Sequence, residues 1–453
     1  MKKVRQLLFP IFALLTIITI SACAGTPTPA STPGLTAIDK TSTSTLPVES
    51  TPSATVAAND LPTPLPTAVP SPITVAYVNA DHNLYVWGDG EPGFTQITSD
   101  GDAETAVLSS DGSLVAYSRS TDGSTYSLDV VSSDGSNHQT LFTQADFLGL
   151  PRPEQAINSQ PDQFAWQPNS HRLAMATRYE FEGPGRVIAP DLIQFDIDNG
   201  THRVLLNENE DYQFAYSPDG SKIAISLPDG IDLFSADGEQ LLGSKFFTFA
   251  NVNTATEAAF LPSVTWSPDG ESFAFVVPPA DPLFGTEIMS RVVKIDARNG
   301  AATTLLSAPM AFQMTKELSP ELSAVAFFVS TSTTSSSFDL HIASLAGGTD
   351  VVAASLAFST LFAWSPDGMH YLYTTVNGSA FQAQLGEAGG STSPITEIAN
   401  ARDFVWLDAD RYLILDQTNT GWKVWLGNIN SSPTVLYTDT LTSAIGPSIT
   451  VNR

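Results

Sequence analysis

Apolar residues recur along most of the chain in short runs, each interrupted by a cluster of Ser, Pro, Asp and Gly. The clearest copy is Phe214-Ala215-Tyr216-Ser217-Pro218-Asp219-Gly220. Val264-Thr265-Trp266-Ser267-Pro268-Asp269-Gly270 and Phe362-Ala363-Trp364-Ser365-Pro366-Asp367-Gly368 repeat it closely. Phe164-Ala165-Trp166-Gln167-Pro168-Asn169-Ser170 is one step more distant. The stretches Val107 to Gly112, Leu318 to Leu322 and Phe404 to Asp410 are weaker copies. In each, an aromatic or apolar residue closes a short strand, Pro sets φ at the first central turn position, Asp tolerates the second, and Gly supplies the left-handed position after it. The unit therefore predicts a tight hairpin. Beyond each turn a small or apolar residue returns at a fixed place, at Ala116, Ala174, Ala224, Ala274, Ala326, Leu372 and Ile414.

The anchors Trp166, Tyr216, Trp266, Trp364 and Trp406, with Leu108 and Leu318 in the equivalent slots, lie 42 to 58 residues apart. A period of about 40–50 residues holding four short strands is that of a propeller blade, and the anchor tryptophans are expected to pack between neighbouring blades. The stretches Thr74 to Val78, Leu84 to Trp87 and Phe94 to Thr98 read as three strands that no turn motif precedes. They fit strands two, three and four of a blade whose first strand comes from Ser443 to Val451, and such closure removes exposed sheet edges. With the seven anchored modules this composite makes an all-β propeller of eight four-stranded antiparallel blades, spanning a domain from 73 to 453. Seven blades is the alternative.

The Ser-Pro-Asp-Gly turns followed by Ile-Ala-Ile or Phe-Ala-Phe resemble the TolB-type, WD-like β-propeller repeat over roughly residues 73 to 451. The modules at Leu318 and Trp406 depart from it, since neither has Gly after the turn. Families bearing this repeat include scaffolds, periplasmic binding partners and the propeller halves of peptidases, so the resemblance implies a fold and leaves the function open. The Gly-x-Ser-x-Gly elbow expected of a peptidase's hydrolase domain does not occur in the sequence.

Lys2, Lys3 and Arg5 precede an apolar run from Leu7 to Ile20, which ends in Ser21-Ala22-Cys23. This resembles a bacterial lipoprotein signal peptide covering residues 1–22, with Cys23 as the lipidation site. Cys23 is the single cysteine of the chain, which excludes internal disulfides. Residues 24 to 72 hold ten Pro and no aromatic residue, a composition that cannot bury enough surface to fold. The segment 23–72 is therefore expected to be a disordered tether with a reach on the order of 40 Å. The implied address is extracytoplasmic, anchored by lipid to the cell membrane or cell surface; the leaflet stays open.

Charge narrows the partners. The 47 acidic residues outnumber the 20 basic ones, for a net charge of −27, which argues against nucleic acid as a partner. Many of the acids are turn residues, and no Asp-x-Asp-x-Asp-Gly loop suggests a calcium site. The six His residues are spread over separate turns and strands, so neither a metal site nor a cofactor is expected.

Topology points to where recognition gathers. In a four-stranded antiparallel blade the first-to-second and third-to-fourth turns share one face, which carries the Ser-Pro-Asp-Gly turns. Second-to-third loops and blade-to-blade links share the other. The long insertions, Thr143 to Gln163, Arg178 to Pro190, Gly243 to Ser263 and Val277 to Ser290, all belong to this second face, in blades two to five. They supply a candidate binding face of Phe147, Arg152, Arg178, Tyr179, Glu180, Phe181, Glu182, Arg186, Phe246, Phe247, Phe249 and Phe284, an aromatic and charged mixture suited to recognition. Packing of the Phe residues onto the propeller rim is the alternative. Glu180 and Glu182 are the one carboxylate pair considered for acid–base chemistry. Two functions follow: a non-catalytic binding or scaffold module for a protein or glycan partner, or a surface hydrolase or lyase acting on polysaccharide or peptide.

Overall fold

The computed structural model describes residues 72–452 apart from 183–190, 208–210, 253, 255–258, 332–336, 357–360 and 441–445. Cys23, the segment 1–22, all but the last residue of the segment 23–72, and Arg186 lie outside the described residues.

Every described sheet has four strands, all antiparallel, and there are eight sheets arranged in a ring: a β-propeller of eight blades. Blade one is the composite. Its first strand, Ser448–Val451, pairs with Thr74–Val78 in the register Val75↔Val451 and Tyr77↔Ile449, and Leu84–Gly88 and Thr95–Gln96 complete it. Blades two to eight open with Ala103–Leu108, Ala156–Trp166, Gln213–Tyr216, Thr265–Trp266, Glu317–Leu318, Phe362–Trp364 and Ala401–Trp406. First strands of neighbouring blades touch, which makes them the innermost.

The hairpin turn is held by its own side chains. Gly220 N–H donates to Ser217 O at 2.8 Å, and Gly220 has φ 72°, the left-handed region that glycine adopts at no cost. The Ser217 hydroxyl donates to Asp219 Oδ1 at 2.5 Å and accepts from Lys222 N–H at 3.0 Å. Asp219 Oδ1 also accepts from Ser221 N–H at 3.1 Å. Asp111, Asp269 and Asp367 repeat the Ser–Asp bond at 2.6 Å. In blade six Leu322 occupies the glycine slot at φ 51° and is tolerated because its side chain is buried between blades five and six.

Burial alone would raise the Asp219 carboxyl, but hydrogen bonds from the Ser217 and Ser221 hydroxyls and from Ser221 N–H outweigh it and bring the pKa from 3.8 down to about 2. A pKa depressed on folding contributes stability above the unfolded value that is lost as pH falls through the folded one. The melting temperature should therefore drop between about pH 4 and pH 2, and Asp219→Asn should start lower and lose less over that window. Equal acid sensitivity of the two proteins, measured by thermal denaturation at stepped pH, would remove the turn aspartate from the account.

Eight apolar clusters fill the eight gaps between adjacent blades. Each gap uses the repeat in the same way. Ala116, Ala224 and Ala326 are fully buried and lie in the clusters that hold Trp166, Trp266 and Trp364 of the next blade, so a small residue on one blade leaves room for the indole of its neighbour. The indoles of Trp166, Trp266, Trp364 and Trp406 donate Nε1–H to the carbonyls of Val107, Ala215, Glu317 and Ala363, at 3.1 to 3.2 Å. Each acceptor stands one residue before the preceding blade's anchor.

Candidate functional site

The long insertions differ in how far they stand off the propeller. The link from blade two to blade three begins with a short helix, Gln144–Gly149, started by a reciprocal capping box between Thr143 and Asp146. That helix turns Phe147 inward. Phe147 is fully buried, with its ring edge-on to Phe142 at 4.8 Å. Tyr179 is buried too, and its hydroxyl donates to Pro151 O, tying the link to the second strand of blade three. Neither residue can belong to an exposed face; both are corrected from surface to core.

The other candidates divide. Phe246, Phe247 and Phe249 are partly buried against the cluster between blades four and five, with Phe247 at 5.5 Å from Phe275. Phe181 stands beside Tyr179, at 6.5 Å between ring centres. Arg178 pairs with Asp162 at 3.5 Å. Glu180 accepts from Gln160 Nε2 at 2.7 Å and from Tyr126 OH at 3.2 Å, while Glu182 is exposed, so the two carboxylates have different surroundings. Arg152 is exposed at the blade two–three link.

Phe284 alone of the candidate phenylalanines stands clear of the rim, and it has company that the sequence reading passed over. In the second-to-third loop of blade five, Phe284, Ile288 and Met289 are 66%, 63% and 40% exposed. A turn fixes this tip: Phe284 N–H donates to Asp281 Oδ1 and Gly285 N–H to Asp281 O, both at 3.0 Å. Gly285 is required there, because a Cβ would stand 2.5 Å from Asp281 O.

On the same face a cavity of about 240 Å³ lies between blades four and five. Gln213 and Ser226, cross-strand partners in blade four, form one side, and Pro262, Ser263 and Val264, entering the first strand of blade five, form the other. Gln163 walls it from blade three. Its amide donates to Phe214 O at 2.8 Å and accepts from Phe214 N–H at 3.2 Å. A larger cleft of about 310 Å³ opens on the opposite, short-turn face between blades three and four. Its charges are mutually satisfied: Arg203 pairs with Asp237 at 2.7 Å, and Arg172 reaches Asp196 at 3.4 Å.

Titratable groups on the innermost strands sit elsewhere in the ring. Burial pushes Glu317 of blade six up to about 7 and lowers Lys316 to about 8. Lys316 Nζ donates to the carbonyls of Phe312 and Met314 at 2.9 and 2.8 Å. Burial likewise raises Asp403 of blade eight to about 6, against the hydrogen bonds it accepts from the backbone of Phe404 and of Ile449 in the closing strand. His171 bridges two blades, with Nδ1 2.9 Å from Asp198 and Nε2 3.1 Å from Asp111, and its pKa is raised by these carboxylates, Asp198 foremost. Among the described residues no group of three or more His, Cys, Asp and Glu is placed to hold a metal ion.

Among the described residues, the long-loop face of the eight-bladed propeller thus carries an exposed apolar tip on blade five and a cavity lined by uncharged side chains. No protein-family model matches the chain, and no curated protein does. Solved structures are similar to it at low identity. An oligogalacturonate lyase in complex with manganese is 16% identical over 68% of this chain and 82% of that one, with TM-score 0.47. TolB from Acinetobacter baumannii is 15% identical over 71% and 63%, with TM-score 0.34. The β-propeller domain of the Trilobed protease from Pyrococcus furiosus is 11% identical over 76% and 97%, with TM-score 0.44.

Proposed function

We propose that this chain is a non-catalytic, extracytoplasmic binding module, lipid-anchored through Cys23, that docks a protein or glycan partner on its long-loop face. The observation that carries the reading is the tip of blade five. Three large apolar side chains within six residues are exposed to solvent there, the first of them, Phe284, set by a turn that depends on Asp281 and Gly285. Exposed apolar groups concentrated in this way mark interaction sites, because water is displaced from them on docking. The basic start, apolar core and Cys23 support the anchor.

The test is crosslinking capture from intact cells, comparing the natural chain with Phe284→Ser/Ile288→Ser/Met289→Ser. A partner caught by the first should be lost from the second, while the melting free energy changes by no more than about 0.5 kcal/mol, as for other exposed positions. Phe246 and Phe247 would serve poorly, since their partial burial would mix binding with stability. Capture that survives the tip variant, and is lost instead on Asp237→Ala in the short-turn cleft, would reverse the assignment of faces. In the same cells Cys23→Ala should abolish labelling by a fatty-acid probe, and label that persists would remove the anchor.

A further inference from the structure

We infer that His171 is a proton-dependent clamp, whose imidazolium holds the first hairpin of blade three against that of blade two and whose deprotonation releases it.

The need for a clamp comes from the sequence of the turn. Gln167 and Asn169 stand where the repeat has Ser and Asp, so the Ser–Asp bond that locks the first hairpins of blades two, four, five and seven is missing from blade three. This turn leans on its neighbour instead. Asn169, at φ 59°, donates its N–H to Ser110 Oγ of blade two at 3.0 Å, and His171 follows it in the chain.

The ring lies between two carboxylates. Nδ1 stands 2.9 Å from Asp198 Oδ1 in the outer hairpin of blade three, and Nε2 stands 3.1 Å from Asp111 Oδ2 in the first hairpin of blade two. A carboxylate only accepts, and a neutral imidazole has a single N–H, so only the imidazolium donates to both. Without the second proton a ring lone pair faces an anion, and one of the two contacts is lost. Asp111 and Asp198 are the charged groups that face the ring. Ser113 Oγ, 3.3 Å from Nε2, is neutral, and Arg172 turns to Asp196 and Asp237. Burial would raise the Asp111 carboxyl, but hydrogen bonds from Ser109, Ser113 and His171 hold it well below the usual carboxylate range, so it stays an anion. The ring is 31% exposed, which lets solvent deliver and remove the proton.

The bonds to Asp198 foremost, and to Asp111, raise the His171 pKa. A group raised on folding contributes stability that is complete below its unfolded value, about 6.5, and is lost as pH rises through the folded one. Ties across two other gaps, Arg203 to Asp237 and Arg411 to Asp89, are guanidinium pairs that do not titrate. Rising pH therefore loosens the gap between blades two and three while those ties hold.

The experiment is a pH titration of the whole chain carrying isotope-labelled histidine, followed by NMR, in which the ring-nitrogen shifts separate imidazolium from either neutral tautomer. The His171 signal, assigned by its loss in His171→Gln, should titrate with a midpoint above about 6.5. Asp198→Asn should move that midpoint down. The Asp198 side chain is 69% exposed, so this variant keeps the fold. Hydrogen exchange over residues 167–171 gives the structural readout. Protection in the natural chain should exceed that in His171→Gln below the midpoint and converge with it above. A midpoint at or below about 6.5, a midpoint unmoved by Asp198→Asn, or equal protection of the two proteins at every pH would each overturn the inference.

Discussion

Deleting residues 448–453 should abolish the cooperative melting transition of the full-length protein. The closing strand carries more than its four residues suggest. Ser448–Val451 is the innermost strand of blade one, and without it Thr74–Val78 would expose an unpaired edge to the axis. Ile449 is buried in the cluster that joins blades eight and one, and burial of such a side chain contributes about 1.5–3 kcal/mol. Asn452 adds polar ties across the seam: its Oδ1 accepts from Thr74 N–H at 2.7 Å, and its Nδ2 donates to Ser110 O of blade two at 3.3 Å. Asp403 of blade eight loses the backbone N–H of Ile449 and is left with a buried carboxyl. Lost ladder bonds at roughly 0.5–1.5 kcal/mol each bring the total into the range of a whole domain's stability, about 5–15 kcal/mol. Circular dichroism melts of the two proteins are decisive, and a truncated chain that melts with the full-length one refutes closure. Salt links elsewhere at the seam, such as Arg411 with Asp89 at 2.8 Å, are partly exposed and too weak to substitute.

Closure could be foreseen because the missing strand leaves a gap in a periodic pattern. The turn was legible for a related reason: Ser217, Asp219 and Gly220 satisfy one another within four residues, so their identities report their geometry directly. The same holds for the small residue at Ala224, whose size answers the indole of Trp266 one blade later. Loops obey no such period. Phe147 sits in a long link, which by itself points to the surface, although Thr143 and Asp146 carry the capping-box signature that folds that link into a helix and turns the ring inward. The burial of Tyr179 is not legible in the sequence because its hydroxyl partner, the Pro151 carbonyl, comes from a different segment. Ile288 and Met289, directly before Ser290–Asp296, resemble any strand-entry pair in sequence, yet both are exposed. The cavity was beyond reach, since Gln213, Ser226 and Ser263 converge through strand pairing and blade packing rather than spacing.

Trp266→Ala should cost roughly 3–5 kcal/mol, the range for emptying a buried aromatic site. The indole is nearly fully buried between blades four and five, packs on Phe273 at 4.9 Å, and donates to Ala215 O at 3.2 Å. Its removal leaves a void facing Ala224, a residue too small to fill it, and leaves a carbonyl of an innermost strand without its donor. Trp266→Phe separates the two contributions. It keeps an aromatic ring in the gap but removes Nε1, so it should cost the hydrogen bond, about 1–3 kcal/mol for an acceptor left unsatisfied, plus a smaller void. Tyr216 shows that the repeat accepts an aromatic residue without an indole at this slot, where blade four packs on blade three. Urea unfolding of the three proteins should therefore rank them natural, Phe, Ala, with unchanged denaturant dependence if the ring still unfolds as one unit. A Trp266→Ala protein within about 0.5 kcal/mol of the natural one would mean that the gap closes by itself. In that case the anchor would owe its recurrence to something other than packing between blades.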